Sequence, residues 1–190
     1  MFRRYVASAG LVALLLSATG CLPNPQSVKE RRESFDRDAL KGSLLFDAPP
    51  SNMRKVESVF DDRIQLMGYT LDPAEPKKGD TVVVTFFWTA LKPINEDYMV
   101  FVHGDAIGGN ARRLHGDHYP AKGKYPTDVW RVGDIVADPF EVKISSDYGA
   151  PRLGINTGMY KGNYRVPRTS KGLVYGDGEN RTRPVEIVFP

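Results

Sequence analysis

The stretch "GDTVVVTFFWTALKPINEDYMVFVH", residues 79–103, contains two runs of strand-forming residues separated by a polar segment with a proline. Val, Thr, Phe and Trp dominate the first run, and these residue types favour extended backbone. Because successive side chains of a strand point to opposite faces, Trp88 shares one face with Val82, Val84 and Phe86. The stretch therefore predicts two strands joined through "LKPINED", with Trp88 in a hydrophobic core.

The same pattern of short β-rich runs, separated by Gly, Pro, Asp and Asn, continues on both sides of this stretch. In addition, "KGN" at 161–163 is typical of a hairpin turn in which Gly162 or Asn163 supplies a positive φ. Six to eight strands without a long helical period predict an all-β fold, an antiparallel β-sandwich over residues 60–190. The further strands are predicted near residues 63–71, 97–104, 134–144, 152–160 and 184–189, with weaker candidates near 110–115 and 163–167.

The first 20 residues have the features of an export signal. Arg3 and Arg4 precede an apolar run from Val6 to Leu16, which is too short to span a membrane. The run ends in "LLLSATGC", which resembles the cleavage site of bacterial lipoproteins, whose cysteine is acylated. We therefore expect a lipoprotein signal peptide over 1–20 and a lipid anchor on Cys21, which would attach the protein to a membrane of the cell envelope. A residue other than Asp after the cysteine indicates the outer membrane if the host is Gram-negative.

Residues 21–59 differ in composition from the β-rich remainder of the chain. Prolines frame the charged run "KERRESFDRDALKG", in which the apolar residues do not form a continuous helical stripe. We predict a tether over 21–59, with one short helix. A fully flexible tether of this length would reach about 35 Å from the membrane.

Charge and cysteine content exclude several classes of protein. Without Arg3 and Arg4 the basic residues fall from 26 to 24, against 23 acidic residues, so no basic surface indicates a nucleic-acid partner. Cys21 is the only cysteine, so the domain has no internal disulfide. The chain also lacks the common catalytic and nucleotide-binding motifs. The sequence favours a protein that is not an enzyme and uses no cofactor.

Three segments in order, "RIQLMGYTLDP" from residue 63, "GDTVVVTFFWTALKPINEDYMVFVH" and "YPTDVWRVGDIVADPFEV" from residue 125, carry a family resemblance. They resemble the immunoglobulin/fibronectin-like β-sandwich domain found at the ends of bacterial membrane glycosyltransferases of the mannosyltransferase type and in free-standing lipoproteins. The resemblance covers residues 60–190. It implies that sandwich fold and a sugar-related setting. The family domain has no catalytic residues that could be assigned to positions in this chain.

The segment "RRLHGDHYPAKGKYPTDVW", residues 112–130, has two interpretations, as a binding site for sugars or as a loop anchor. Aromatic rings can stack on the C–H faces of sugars while polar groups bond to hydroxyls. Alternatively, Tyr125 and Trp130 anchor the loop to the sandwich edge, which is the favoured interpretation for these two rings. The candidate ligand-binding residues are Asp117, His118, Tyr119, Tyr125, Asp128, Trp130 and Arg131.

A metal site is the alternative function. His103, His115 and His118, with Asp117 or Asp105, would supply ligands suited to Zn or Cu if a loop brought them together. The favoured interpretation of the same pattern is a polar loop whose side chains form hydrogen bonds to backbone groups. The expected function is a lipid-anchored, non-catalytic binding or scaffolding module of the cell envelope, for polysaccharide or envelope proteins. A periplasmic metal-binding protein is the second hypothesis.

Overall fold

The computed structural model describes residues 26–170, 176–177 and 179–189. The predicted signal peptide and Cys21 lie outside the described residues. In chain order the elements are α1 (Val28–Ser34), β1 (Leu45–Phe46), β2 (Arg54–Phe60), β3 (Ile64–Asp72), β4 (Thr81–Ala90), β5 (Met99–Ile107), β6 (Leu114–His115), β7 (Ile135–Lys143), β8 (Arg152–Lys161), β9 (Tyr164–Arg165), β10 (Gly176–Asp177) and β11 (Arg181–Val188).

The strands form two antiparallel sheets, which confirms the predicted all-β sandwich. The first sheet has the order β1-β7-β4-β3-β2, and the second has β10-β11-β8-β5-β6 with β9 beside β8. All eight strands predicted from the sequence are present. The hairpin at 161–163 is also confirmed: Lys161 pairs with Tyr164, and Gly162 has a φ of 56°.

The hydrophobic core lies between the two sheets and follows the predicted alternation. Val82, Val84, Phe86 and Trp88 on β4 are fully buried. The Trp88 ring packs on Phe60 and Phe86, with centroid distances of 6.0 and 5.9 Å. Burying an apolar side chain contributes roughly 1.5–3 kcal/mol to the stability of a fold. The four side chains on this face of β4 therefore contribute substantially to the free energy of folding.

The folded body begins well before residue 60, so the tether predicted over residues 21–59 needs correction. Leu40, Leu44, Leu45 and Val56 are at most 7% exposed and belong to the main core. In addition, β1 pairs with β7 and β2 pairs with β3. The predicted short helix is present as α1, where Ser27 forms a capping box with Glu30.

Arginine side chains hold residues 27–46, here called the N-terminal strap, on the sandwich. Arg31 forms an ion pair of 2.7 Å with Asp128, and Arg37 pairs with Asp134. Arg32 donates to the carbonyl oxygens of Ile94 and Asp128. Helix α1, which has no buried residue, therefore docks through polar contacts of single side chains, whereas Leu40, Leu44 and Leu45 later in the strap enter the core.

Within the part of the chain that the structure describes, no helix has the length and apolar character needed to cross a bilayer.

Candidate functional site

The segment 114–119 runs as an edge strand beside β5. His115 pairs with His103, and the backbone N–H of His118 donates to the Val100 carbonyl oxygen at 2.9 Å. The side chain of Asp117 accepts a hydrogen bond of 3.0 Å from the Val102 amide, where the regular pairing is interrupted. Alternation along this edge exposes Asp117 and Tyr119 and turns His118 toward the first sheet.

Tyr125, Asp128 and Trp130 are buried, so the sugar-binding interpretation of the segment is wrong for these three residues. Tyr125 and Trp130 are 0% exposed and Asp128 is 4% exposed. The Trp130 indole donates to the Tyr125 carbonyl oxygen at 2.9 Å. The Tyr125 hydroxyl donates to Asp134 at 2.5 Å. Burial and this carboxylate raise the pKa of Tyr125. These rings anchor the loop, as the favoured interpretation stated.

Arg131 is separated from the other candidate residues. Its side chain is exposed and donates to the Glu33 carbonyl oxygen of the N-terminal strap at 3.3 Å. It does not line the cleft that forms around Tyr119. Of the seven candidate residues, Asp117, His118 and Tyr119 therefore remain together on an accessible surface.

These three residues line an open cleft of about 490 Å³. Small-molecule sites in proteins have volumes of roughly 300–1,000 Å³. Tyr119 is 50% exposed, so half of its surface is accessible to a ligand. Lys122, Phe140 and Glu141 also line the cleft, and sequence reasoning missed them as ligand-binding residues. No local motif marks Phe140 and Glu141, because the packing of the two sheets brings β7 beside Tyr119.

His118 forms a buried ionic hydrogen bond at the wall of the cleft. Its Nε2 lies 3.0 Å from Oδ1 of Asp138, and its Nδ1 lies 2.6 Å from the Gly116 carbonyl oxygen. Both ring nitrogens therefore face acceptors, which only the doubly protonated imidazolium satisfies. Burial opposes protonation, but the hydrogen bond and charge of Asp138 outweigh it and raise the pKa of His118.

Asp138 connects the two sheets at this position. Its side chain is fully buried and accepts hydrogen bonds from the Trp88 indole at 3.3 Å and the Ala121 amide at 3.0 Å, besides His118. A buried carboxylate requires such a set of donors, because an uncompensated charge in the core is costly. The cleft wall is therefore fixed to the core.

A left-handed turn forms one rim of the cleft. Ala121, Lys122 and Gly123 have φ values of 53°, 57° and 71°. For residues with a Cβ this conformation costs of order 1–3 kcal/mol and persists only where the surroundings enforce it. The bond from the Ala121 amide to Asp138 provides that constraint. It places the exposed Lys122 side chain at the cleft.

Replacing His118 by Gln is expected to destabilise the protein more at acidic than at alkaline pH. Because the folded pKa of His118 is raised above its unfolded value near 6.5, its stabilisation is complete below that value and is lost as pH rises through the folded pKa. Urea unfolding of both proteins at about pH 5.5 and about pH 9 measures the difference. His115→Gln, at an exposed histidine, is the control and should change the free energy of unfolding by at most about 0.5 kcal/mol at either pH. An effect of His118→Gln that is equal at both pH values would contradict the ionic pair.

The three histidines do not form a metal site in the described residues. His103 and His115 are neighbours, with ring centroids 5.3 Å apart, but His118 is bonded to Asp138. No group of three or more His, Cys, Asp or Glu side chains in the described ranges is placed to hold a metal ion. Burial lowers the pKa of His103, and its buried Nδ1 has no hydrogen-bond partner among the residues that the structure describes. The metal-binding alternative is therefore not retained.

Comparison with models of protein families found no match to the chain, and comparison with curated proteins found none either.

Proposed function

We propose that this protein is a lipid-anchored, non-catalytic module of the cell envelope that binds polysaccharide in the cleft around Tyr119. The half-exposed Tyr119 ring, beside charged groups on a rigid wall, is the observation that carries the proposal. The sequence resembles sandwich domains of membrane glycosyltransferases, which is consistent with a sugar ligand. This is an analogy with the context in which those domains occur.

The chemistry of the cleft suits a sugar. A pyranose presents apolar C–H faces, which stack on aromatic rings, and hydroxyl groups, which need directed donors and acceptors. Tyr119 supplies an accessible ring, and the Phe140 ring lies behind it against His118 at a centroid distance of 5.3 Å. Exposed Asp117, Lys122 and Glu141 provide acceptors and a donor around the rings.

The same contacts favour binding over catalysis. A general acid or base must exchange a proton with its ligand. Both nitrogens of His118 are already hydrogen-bonded, and Asp138 is fully buried with three protein donors. These groups therefore support the cleft wall, while the exposed side chains are left to contact a ligand.

The anchor is proposed from the sequence around Cys21. Each buried CH₂ of an acyl chain contributes about 0.8 kcal/mol, so the several chains of a lipoprotein make release from the membrane negligible. The outer membrane is the expected location in a Gram-negative host.

Replacing Tyr119 by Ala is expected to weaken sugar binding about tenfold, because a stacked aromatic contact contributes up to about 1.5 kcal/mol beyond its buried area. Isothermal titration of the detergent-extracted protein measures this, with oligosaccharides released from the host's own envelope polysaccharide as the probe. Tyr164→Ala is a matched control, since Tyr164 is 52% exposed and lies outside the cleft.

Equal affinities of the wild type and Tyr119→Ala would exclude the cleft as the sugar site. Absence of binding to all of these oligosaccharides would overturn the polysaccharide proposal. The folded state of each variant is checked by its thermal transition.

A further inference from the structure

One end of the sandwich collects exposed apolar side chains. In the described residues, five large hydrophobic side chains are exposed, and Leu91, Val132 and Tyr164 are three of them, at 41%, 58% and 52%. All three lie where strands of both sheets end. Ile64 pairs with Ala90, Thr89 with Ile135, and Met99 with Tyr160, so these turns share one end, here called the loop end.

Several acidic groups of the loop end are paired with basic ones. Asp61 pairs with Arg63 at 2.9 Å, and Glu96 pairs with Lys161. The buried acids Asp128 and Asp134 pair with arginines of the N-terminal strap. Exposed Lys92 and Arg131 lie beside Leu91 and Val132. An anionic lipid surface would attract such cations, and the paired acids offer it little repulsion, whereas exposed Asp62 in the turn between β2 and β3 opposes the attraction.

The strap brings the start of the folded chain to this same end. Helix α1 packs on the turn at 127–129, and Arg32 donates to the Ile94 carbonyl oxygen in the loop between β4 and β5. The helix is seven residues long and begins after its cap, Ser27. Ser27 lies six positions after Cys21, and six extended residue-to-residue steps span at most about 20 Å.

We propose that the loop end rests on the lipid surface, with Leu91, Val132 and Tyr164 in the interfacial layer. The proposal depends on the proposed acylation of Cys21. A short link to the anchor keeps the loop end at a high effective concentration near the lipid, so three modest apolar contacts suffice to hold one orientation. Tyrosine is suited to this layer because its ring is apolar and its hydroxyl reaches water.

A pair of single-cysteine variants tests the orientation in the full acylated chain. Cys21 is the only native cysteine, and acylation removes its free thiol, so Val132→Cys or Val188→Cys carries a unique label. Val188 is a matched control, because it is 65% exposed and pairs with Arg152 at the opposite end of β8. At a rise of about 3.3 Å per residue, the two ends are about 30 Å apart.

The variants, labelled with an environment-sensitive fluorophore, are placed in phosphatidylethanolamine–phosphatidylglycerol vesicles that contain spin-labelled lipids as quenchers. We expect quenching about fivefold stronger at position 132 than at 188, because only the loop end lies within reach of the interface. Equal quenching at both positions overturns the proposed orientation.

Intact mass of the same membrane-extracted protein, with Cys21→Ser as the control, separates the two proposals. Acyl mass on Cys21 with equal quenching refutes the orientation and leaves the anchor. An unmodified Cys21 overturns the anchor and, with it, the orientation.

Discussion

A chain that begins at residue 60 is expected not to fold cooperatively, although the sequence alone places the domain boundary there. Such a chain lacks four side chains of the main core, Leu40, Leu44, Leu45 and Val56. Burial of each contributes roughly 1.5–3 kcal/mol, so their loss removes at least about 6 kcal/mol from a typical total of about 5–15 kcal/mol. It also uncovers the edges of β3 and β7, which pair with β2 and β1.

The loss of the strap has an electrostatic cost as well. Asp128 and Asp134 are 4% and 7% exposed, and their partners Arg31 and Arg37 would be absent. Arg31 is 44% exposed and deletion of the strap opens both carboxylates to water, so this loss is smaller than the roughly 3–5 kcal/mol that breaking a fully buried pair costs. Urea unfolding followed by tryptophan fluorescence compares chains 60–190 and 27–190. A cooperative transition at the same midpoint in both chains would show that the strap is dispensable.

Trp130→Ala is expected to lower the free energy of unfolding by about 4 kcal/mol, the range found for large aromatic residues truncated in a core. The side chain is fully buried, packs against Tyr125 at a centroid distance of 6.3 Å, and donates its indole N–H to the Tyr125 carbonyl oxygen. The substitution leaves a cavity and an unpaired buried acceptor. In a domain of this size the melting temperature should fall by roughly 10 °C.

Tyr119→Ala is the matched control for this substitution. It removes an aromatic side chain eleven positions earlier, but from a half-exposed site, and should change the free energy of unfolding by at most about 0.5 kcal/mol. Thermal unfolding of both variants checks the contrast. Equal stabilities of the two variants would mean that Trp130 does not anchor the loop.

Residues 125–138 belong to the third segment that carries the family resemblance, and their contacts are with the rest of the fold. Asp134 accepts from the Tyr125 hydroxyl and the Arg131 amide. Thr127 accepts from the Tyr98 amide and donates to the Glu96 carbonyl oxygen. Buried polar groups must be hydrogen-bonded, so a loop that crosses the edge of a core needs specific residue types at each position. A distinctive motif can therefore reflect this requirement without binding a ligand.

The amino-acid sequence by itself determined the strands, the buried face of β4 and the hairpin at 161–163. These features depend on neighbouring residues: side-chain alternation sets which face is apolar, and Gly162 permits the turn. Only the tertiary structure decided the place of the N-terminal strap and the composition of the cleft. The strap is held by pairs such as Arg31 and Asp128, which lie 97 positions apart, and the cleft joins Tyr119 to Phe140 from the facing sheet. A local pattern records the environment of each residue but not the identity of its distant partner, because that partner is selected by the packing of the whole chain.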